Sequence, residues 1–175
     1  YAYNELDLLN VETLSIDGRT YSLTHGYEPS GNVANRILPD GMVIDFDVDG
    51  HGRPTTVRTQ SWRYVDAITY HPNGLPASAV YKNGYSFSQT LDARQLPYDI
   101  DVYGGSAGNV LDLRYGYDAR RKVTSITDYA VAGQNRSFGY DPAGRLETAA
   151  GPWGTGSFKY DALNNIRQKQ LGSRT

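Results

Sequence analysis

The chain has no cysteine and only small numbers of several other residues. Among 175 residues there are one Met, two Trp and four Phe. Without cysteine, neither a disulfide framework nor a Cys-ligated zinc site can form, and a Cys–His nucleophile is excluded. No apolar run approaches the roughly 20 residues of a membrane-spanning helix. The formal net charge of −2 argues against nucleic-acid binding, which needs a basic surface.

Tyrosine and glycine, by contrast, are abundant, with 15 and 19 residues. Strand-favouring Tyr, Thr and Val interrupted by Gly, Asn and Asp favour β-structure over helices. The segment YDPAGRL, residues 140–146, shows this pattern most clearly. Asp141 suits the first position of a type I turn, Pro142 the second and Gly144 the fourth. The segment predicts a turn between two strands, with Tyr140 ending the first strand.

The same pattern recurs from one end of the chain to the other. We call its first position the anchor, and the anchors lie at residues 3, 27, 48, 70, 91, 117, 140 and 160, spaced by 20 to 26 residues. The positions that define the motif are Tyr27, Gly31, Tyr70, Gly74, Tyr117, Asp118, Tyr140, Asp141, Gly144, Arg145, Tyr160 and Asp161. We therefore interpret residues 1–175 as a single array of about eight repeats.

Each repeat contains a second turn between successive anchors. The dipeptides Asp17-Gly18, Asp40-Gly41, Asn83-Gly84 and Gly104-Gly105 predict tight two-residue hairpins there. Apolar residues then alternate toward the next anchor, as in Leu111, Leu113 and Tyr115, which places the anchor tyrosine on the packed face. The predicted fold is all-β, an antiparallel meander of strand–turn–strand repeats. Because open sheets of more than ~10 strands tend to curl, we expect a strongly curved, spiralling or barrel-like sheet.

The repeated Y-D-x-x-G-[RK]-[LV] unit resembles the RHS or YD repeats. These occur in bacterial rearrangement-hotspot proteins, in the B and C components of insecticidal toxin complexes and in animal teneurins. The resemblance covers essentially the whole chain and is clearest at residues 117–123, 140–146 and 160–166. It implies a segment of a hollow β-shell that isolates a C-terminal polymorphic toxin until delivery to competitor or host cells. It also implies a secreted or bacterial cell-surface parent protein, of which this chain is expected to be a fragment.

Catalytic and metal-binding alternatives are weaker. Asp45, Asp47 and Asp49 with Gly50 match the start of a calcium loop, but Thr56 stands where a bidentate Glu would close it. An acidic strand face followed by an anchor turn explains the same residues. The remaining aspartates are explained by turn geometry, and the histidines lack metal-ligand spacing. We expect no enzymatic activity, no cofactor and no metal.

Carbohydrate binding is the alternative function. Trp62, Tyr64 and Trp153 are the aromatic side chains best suited to stack on sugar rings. The expected partners are neighbouring repeats and toxin cargo, with glycans as the alternative partner. Unpaired strand edges at the ends of an array also predict self-association that depends on concentration.

Overall fold

The computed structural model describes residues 1–172, which form sixteen β-strands and one short 3₁₀ turn at Gly105–Ala107. The strands are β1 (Ala2–Tyr3), β2 (Leu9–Ile16), β3 (Arg19–Tyr27), β4 (Val33–Ile37), β5 (Val43–Val48), β6 (Pro54–Arg58), β7 (Arg63–Tyr70), β8 (Pro76–Tyr81), β9 (Ser86–Leu91), β10 (Pro97–Tyr103), β11 (Asn109–Tyr117), β12 (Val123–Asp128), β13 (Arg136–Tyr140), β14 (Leu146–Gly151), β15 (Gly154–Tyr160) and β16 (Ile166–Leu171). The strands follow one another in the sheet in sequence order, and the all-β antiparallel meander is confirmed. Its curvature stays a prediction.

The chain divides into two compact units, each with four anchors. Unit 1 comprises Tyr1–Ser86, and unit 2 begins at Phe87. Within unit 1 the strands β1 to β8 pair successively, and within unit 2 β10 to β16 do so. Consecutive antiparallel pairing needs only short turns, which is what the Gly-rich and Asp-rich segments provide.

A β-bulge accompanies nearly every anchor. In the pair β13–β14, Gly139 lies opposite Thr148, but Tyr140 lies opposite Leu146, so Glu147 is the extra residue. The same shift precedes Tyr27, Val48, Tyr70, Tyr117 and Tyr160. A bulge changes the side of the sheet on which the following side chains lie, and it increases the local twist. The two sides of the sheet are therefore set by the register of each anchor turn.

The second turns are less uniform than their sequences predict. Asp17-Gly18 does form a two-residue hairpin, with Ile16 opposite Arg19. The two-residue prediction is wrong at Asp40-Gly41 and Asn83-Gly84. There the amide of Gly41 donates to Leu38, the amide of Gly84 donates to Tyr81, and each glycine takes a positive φ. It is wrong at Gly104-Gly105 too, where the 3₁₀ turn lies. A longer loop, built from a type I turn followed by a left-handed glycine, also contains such a dipeptide but places it one position later in the turn. The dipeptide alone therefore cannot distinguish this loop from a two-residue hairpin.

The sheet buries very few side chains. Among the described residues, the buried apolar side chains are Ala79 and Ala149, with 6% and 7% of their surface exposed. Some larger apolar residues of the strands, such as Leu113 and Phe138, are half-buried, and others, such as Leu14 and Ile166, are exposed. No helix in residues 1–172 is long and apolar enough to cross a membrane. With so little core, the contacts that join one repeat to the next become the main candidates for holding the sheet together.

The anchor-turn ladder as candidate functional site

All eight anchor turns share one backbone geometry. The amide one residue after each anchor donates to the carbonyl four residues further on, at 2.8–3.0 Å, as Asp141 does to Arg145. The amide four residues after each anchor donates to the carbonyl of the residue that directly follows the anchor, at 2.8–3.2 Å, as Gly144 does to Asp141. The eight sequence segments, strong and weak alike, are thus one structural element.

The position that takes a left-handed backbone is also the same in all eight. Four repeats place glycine there: Gly31, Gly52, Gly74 and Gly144, with φ between +74° and +89°. The other four place Asp7, Gln95, Arg121 and Asn164 there, with φ between +57° and +66°. Side chains other than Asn and Asp seldom adopt this conformation. Gln95 and Arg121 therefore hold it because the surrounding turn imposes it.

The aspartate after the anchor caps the turn. One carboxylate oxygen of Asp49 accepts the amides of His51 and Arg53 at 2.9 and 3.0 Å, and the other pairs with the Arg53 side chain at 2.6 Å. These contacts, the Arg53 side chain first, lower the pKa of Asp49 to about 2. The pKa of Asp92 and Asp141 is lowered chiefly by the backbone amides they accept. For Asp161 the lowered pKa comes first from the Asn165 side chain.

The anchor tyrosine joins its repeat to the preceding one. The Tyr140 hydroxyl donates to the carbonyl of Val123 at 2.8 Å, and the Tyr117 hydroxyl donates to Pro97 at 2.7 Å. Tyr27, Tyr70 and Tyr160 make the same bond to Leu9, Pro54 and Leu146 at 2.7–2.9 Å. In every case the acceptor lies six residues after the preceding anchor. Burial is the main reason that the pKa of Tyr117 and of Tyr140 is raised.

A cation at the fifth position after the anchor links the turns in the other direction. Arg145 pairs with Asp141 of its own turn at 2.7 Å, lies 4.7 Å from the centre of the next anchor ring, Tyr160, and donates to the carbonyl of Asp161 at 3.1 Å. Arg53 lies 4.4 Å from the ring centre of Tyr70, and Lys122 lies 4.9 Å from that of Tyr140. Lys122 also donates to the carbonyl of Gly144.

Each residue of the motif therefore makes a specific contact or adopts a specific backbone conformation. Tyrosine binds the preceding repeat, aspartate caps the turn, glycine accepts the left-handed backbone and arginine reaches the next tyrosine. We call the whole set the anchor-turn ladder. Its described rungs connect the first repeat to the second and the third to the fourth in unit 1, and all four repeats in unit 2.

The sequence analysis missed one position of the ladder. Glycine precedes the anchor at Gly26, Gly116 and Gly139, and a Cβ there would collide with the side chain of Asn35, Ser125 or Thr148 respectively. The side chain opposite therefore occupies the space that a larger residue would need. The recurring Gly-Tyr dipeptide was the available signal.

The three aspartates of the calcium-loop pattern lie against donors of the protein itself. Asp47 accepts from Thr56 and Arg58, both at 2.5 Å, and the Arg58 side chain is the main reason that its pKa is lowered. Asp49 caps its turn, and Asp45 lies opposite Arg58 in the β5–β6 register. Within residues 1–172, no group of three or more His, Asp and Glu side chains is arranged to hold a metal ion.

The three candidate sugar-binding aromatics lie at or beside second turns. Trp62 is the last residue of the β6–β7 connection and Tyr64 is the second residue of β7, with 56% and 45% of their surface exposed. Trp153 occurs in the β14–β15 turn, 44% exposed, with its ring against the Cα hydrogens of Gly151. Trp62 and Tyr64 belong to unit 1 and Trp153 to unit 2.

Comparison with known proteins bears on the fold. No family model matches the chain, and no curated protein matches its sequence. The crystal structure of TcdB2-TccC3 without its hypervariable C-terminal region matches with a TM-score of 0.84 and 16% identity, over 99% of this chain and 11% of that one. The crystal structure of TcdB2-TccC3 gives 0.83 at 16% identity, with the same coverage. The fold is RHS-like.

A third structure agrees with the first two. The Tc holotoxin pore of Photorhabdus luminescens matches with a TM-score of 0.77 and 18% identity, over 87% of this chain and 9% of that one. The chain therefore spans about a tenth of the length of these structures. At such low identity, the likeness concerns the fold alone.

Proposed function

We propose that this chain is a segment of the wall of an RHS-repeat shell. The shell encloses a C-terminal polymorphic toxin and keeps it apart from its surroundings until it is delivered to a competitor or host cell. The observation that carries the proposal is the likeness of nearly the whole chain to structures named as Tc toxin components, one of them named as lacking a hypervariable C-terminal region. The part played by this chain is mechanical and has no catalytic step.

The chemistry of the ladder supports a wall. A hydroxyl–carbonyl bond at the anchor tyrosine joins five of the repeats to the preceding one, and the cation at the fifth position after the anchor lies, in three repeats, on the next anchor ring. These bonds repeat without a change of geometry, so a sheet can be extended by adding repeats. A sheet with few buried side chains gains from this arrangement, because contacts between repeats at the anchor turns add stability that a central core does not supply.

The parent protein would be exported, and its partners would be further repeats and the enclosed toxin. The test is an intact mass and a peptide map of the parent polypeptide from its native source. The proposal expects many more repeats and a separate C-terminal polypeptide that copurifies with them and resists added protease until the repeats are unfolded. An array joined to a cell-wall anchor, with no retained C-terminal polypeptide, would contradict it.

Carbohydrate binding is a second candidate, favoured by the exposure of Trp62, Tyr64 and Trp153. Rings that are half exposed at hairpin ends can stack on sugars, and each would contribute to a saturable affinity. Titration with a panel of soluble oligosaccharides measures this affinity. Loss of binding in Trp62→Ala or Trp153→Ala, with the fold retained, would favour this function over a purely structural one.

A further inference from the structure

A group of three carboxylates on β10 and β11 takes no part in the anchor-turn ladder. Asp99 and Asp101 lie on β10, and Asp112 lies on β11 directly opposite Asp101 in the register. We call these three residues the acidic seam. Two like charges directly opposite each other destabilise an antiparallel pair. The seam is therefore a point of electrostatic repulsion within unit 2.

The nearby arginine is already engaged by one member of the seam. Arg114 on β11 binds Asp99 through two nitrogens, at 2.8 and 3.1 Å. Its guanidinium also lies 5.3 Å from the ring centre of Tyr98 and 5.1 Å from that of Tyr129. This two-point contact raises the pKa of Arg114, which stays charged. Arg114 thus neutralises Asp99 first, and the Asp101–Asp112 pair retains its repulsion.

The other groups facing the pair are neutral. Ser88 on β9 contacts Asp101 at 3.4 Å, and Asn109 on β11 donates to Asp112 at 3.0 Å. Burial is the main cause that raises the pKa of Asp101, followed by the charges of Asp112 and Asp99. A carboxyl with a raised pKa opposes folding while it is ionised, and this cost disappears as falling pH protonates it. Once protonated, Asp101 can donate a hydrogen bond to Asp112.

We propose that the acidic seam makes the β10–β11 hairpin more stable when its surroundings become acidic. The aspartates of the anchor turns respond in the opposite sense, because Asp92, Asp141 and Asp161 have lowered pKa values and stay ionised to lower pH. Acid near the ordinary pKa of an aspartate therefore relieves the seam while the turn caps remain ionised. The local stability of unit 2 passes through a maximum below neutral pH, whatever the wall encloses.

The test is amide hydrogen exchange of the full chain at about pH 7 and about pH 4, near the ordinary pKa of an aspartate, with opening constants corrected for the intrinsic exchange rate at each pH. We expect the opening constants of β10 and β11 amides to fall about 1.5- to 5-fold on acidification, which corresponds to the cost of one like-charge pair. In Asp101→Asn the constants should already be low at neutral pH and should change little. The matched control is Glu147→Gln, which removes an exposed carboxylate of β14 outside the seam and should leave the wild-type response intact.

A second variant tests whether the result of Asp101→Asn comes from the lost charge or from a local change at residue 101. Asp112→Asn removes the other half of the pair and should also abolish the response, while an amide at this position can still accept from Asn109. The proposal is overturned if β10–β11 opening is unchanged or increases on acidification in the wild type. It is equally overturned if both Asp101→Asn and Asp112→Asn respond to pH as the wild type does.

Discussion

The two kinds of turn in this chain obey different rules. The eight anchor turns have one hydrogen-bond pattern, one left-handed position and a carboxylate or a substitute for it in the same place. The second turns include two-residue hairpins, type I turns with a left-handed glycine, a 3₁₀ turn and the longer connection between β12 and β13. The anchor turns contact neighbouring repeats. These contacts restrict the backbone of each anchor turn, so its geometry stays the same from repeat to repeat. The variation in repeat length accordingly comes from the second turns and the strands that lead to them.

The chemistry of the two turn classes differs most clearly in unit 2. Its anchor turns carry Asp92, Asp118, Asp141 and Asp161 together with arginine and lysine. Its second turns, at residues 104–108, 129–135 and 151–154, contain no Asp, Glu, Lys or Arg. Of the two turn classes in unit 2, the one that links repeats thus carries the charged residues, although Asp128, at the end of β12, accepts the amides of Ala130 and Val131 in a second turn. Perturbing the anchor turns should therefore lower the free energy of unfolding more than equal perturbations of the second turns.

The largest expected effect is that of strong acid, which acts at once on the anchor turns capped by Asp49, Asp92, Asp141 and Asp161. Stability contributed by a carboxyl with a lowered pKa is complete above its ordinary pKa and is lost as pH falls toward the folded-state value, about 2 for Asp49. Urea unfolding followed by circular dichroism should show a falling midpoint over this range. Replacing Asp49, Asp92, Asp141 and Asp161 together by Asn should flatten the acid limb, and an unchanged acid limb would contradict the capping role.

The next effect is that of Gly144→Val in the anchor turn after β13. Gly144 has a φ of +83°, and a Cβ there would collide with the Lys122 side chain. We expect a loss of about 1–3 kcal/mol in the free energy of unfolding. Gly133→Val is the matched control, since Gly133 has a φ of +80° in a second turn but open space around its Cβ position. Equal losses of unfolding free energy in the two variants would show that the contact with Lys122 adds nothing to the cost of the substitution at Gly144.

Arg145→Ala removes one inter-repeat link and should cost about 0.5–1 kcal/mol from the contact with Tyr160. The measurement is the free energy of unfolding, with Tyr160→Leu and the double variant completing a cycle. Arg145→Lys should retain most of the stability, because Lys122 serves the same position in the preceding repeat. A coupling energy of zero in the cycle would contradict the link.

Tyr140→Phe deletes only the hydroxyl that donates to Val123 and should cost about 0.5–1.5 kcal/mol. Tyr129→Phe, in a second turn, is the control. Its hydroxyl contacts Arg114 at 3.4 Å, so we expect a change within about 0.5 kcal/mol. Thermal or urea unfolding of both variants measures the difference, and a larger loss for Tyr129→Phe would reverse the comparison between the turn classes.

Much of the fold could be predicted from the sequence because the anchor pattern is local. Asp141, Pro142 and Gly144 each favour the observed turn by their own backbone preferences, so one good copy allowed weaker copies such as residues 91–97 to be found. The alternation of apolar residues then gave the strands. The second turns were harder, because an Asp-Gly dipeptide fits two turn types that differ by one residue in register.

The ladder itself could not be predicted in full, because its contacts join residues that are distant in sequence. That Tyr140 is packed follows from alternation, but its bond to the carbonyl of Val123 depends on the bulge that aligns the two strands. The fit of Gly139 under Thr148 likewise depends on register. The opposition of Asp101 and Asp112 required knowing which residues of β10 and β11 face each other.

A cryo-electron microscopy map of the intact parent protein would show whether this chain forms part of the wall of a shell. We expect a closed shell in which this chain forms part of the wall, with anchor tyrosines bonded to the preceding repeat and additional density for a polypeptide inside. An open or solid assembly, or a sheet whose repeats are joined without the tyrosine bonds, would contradict it.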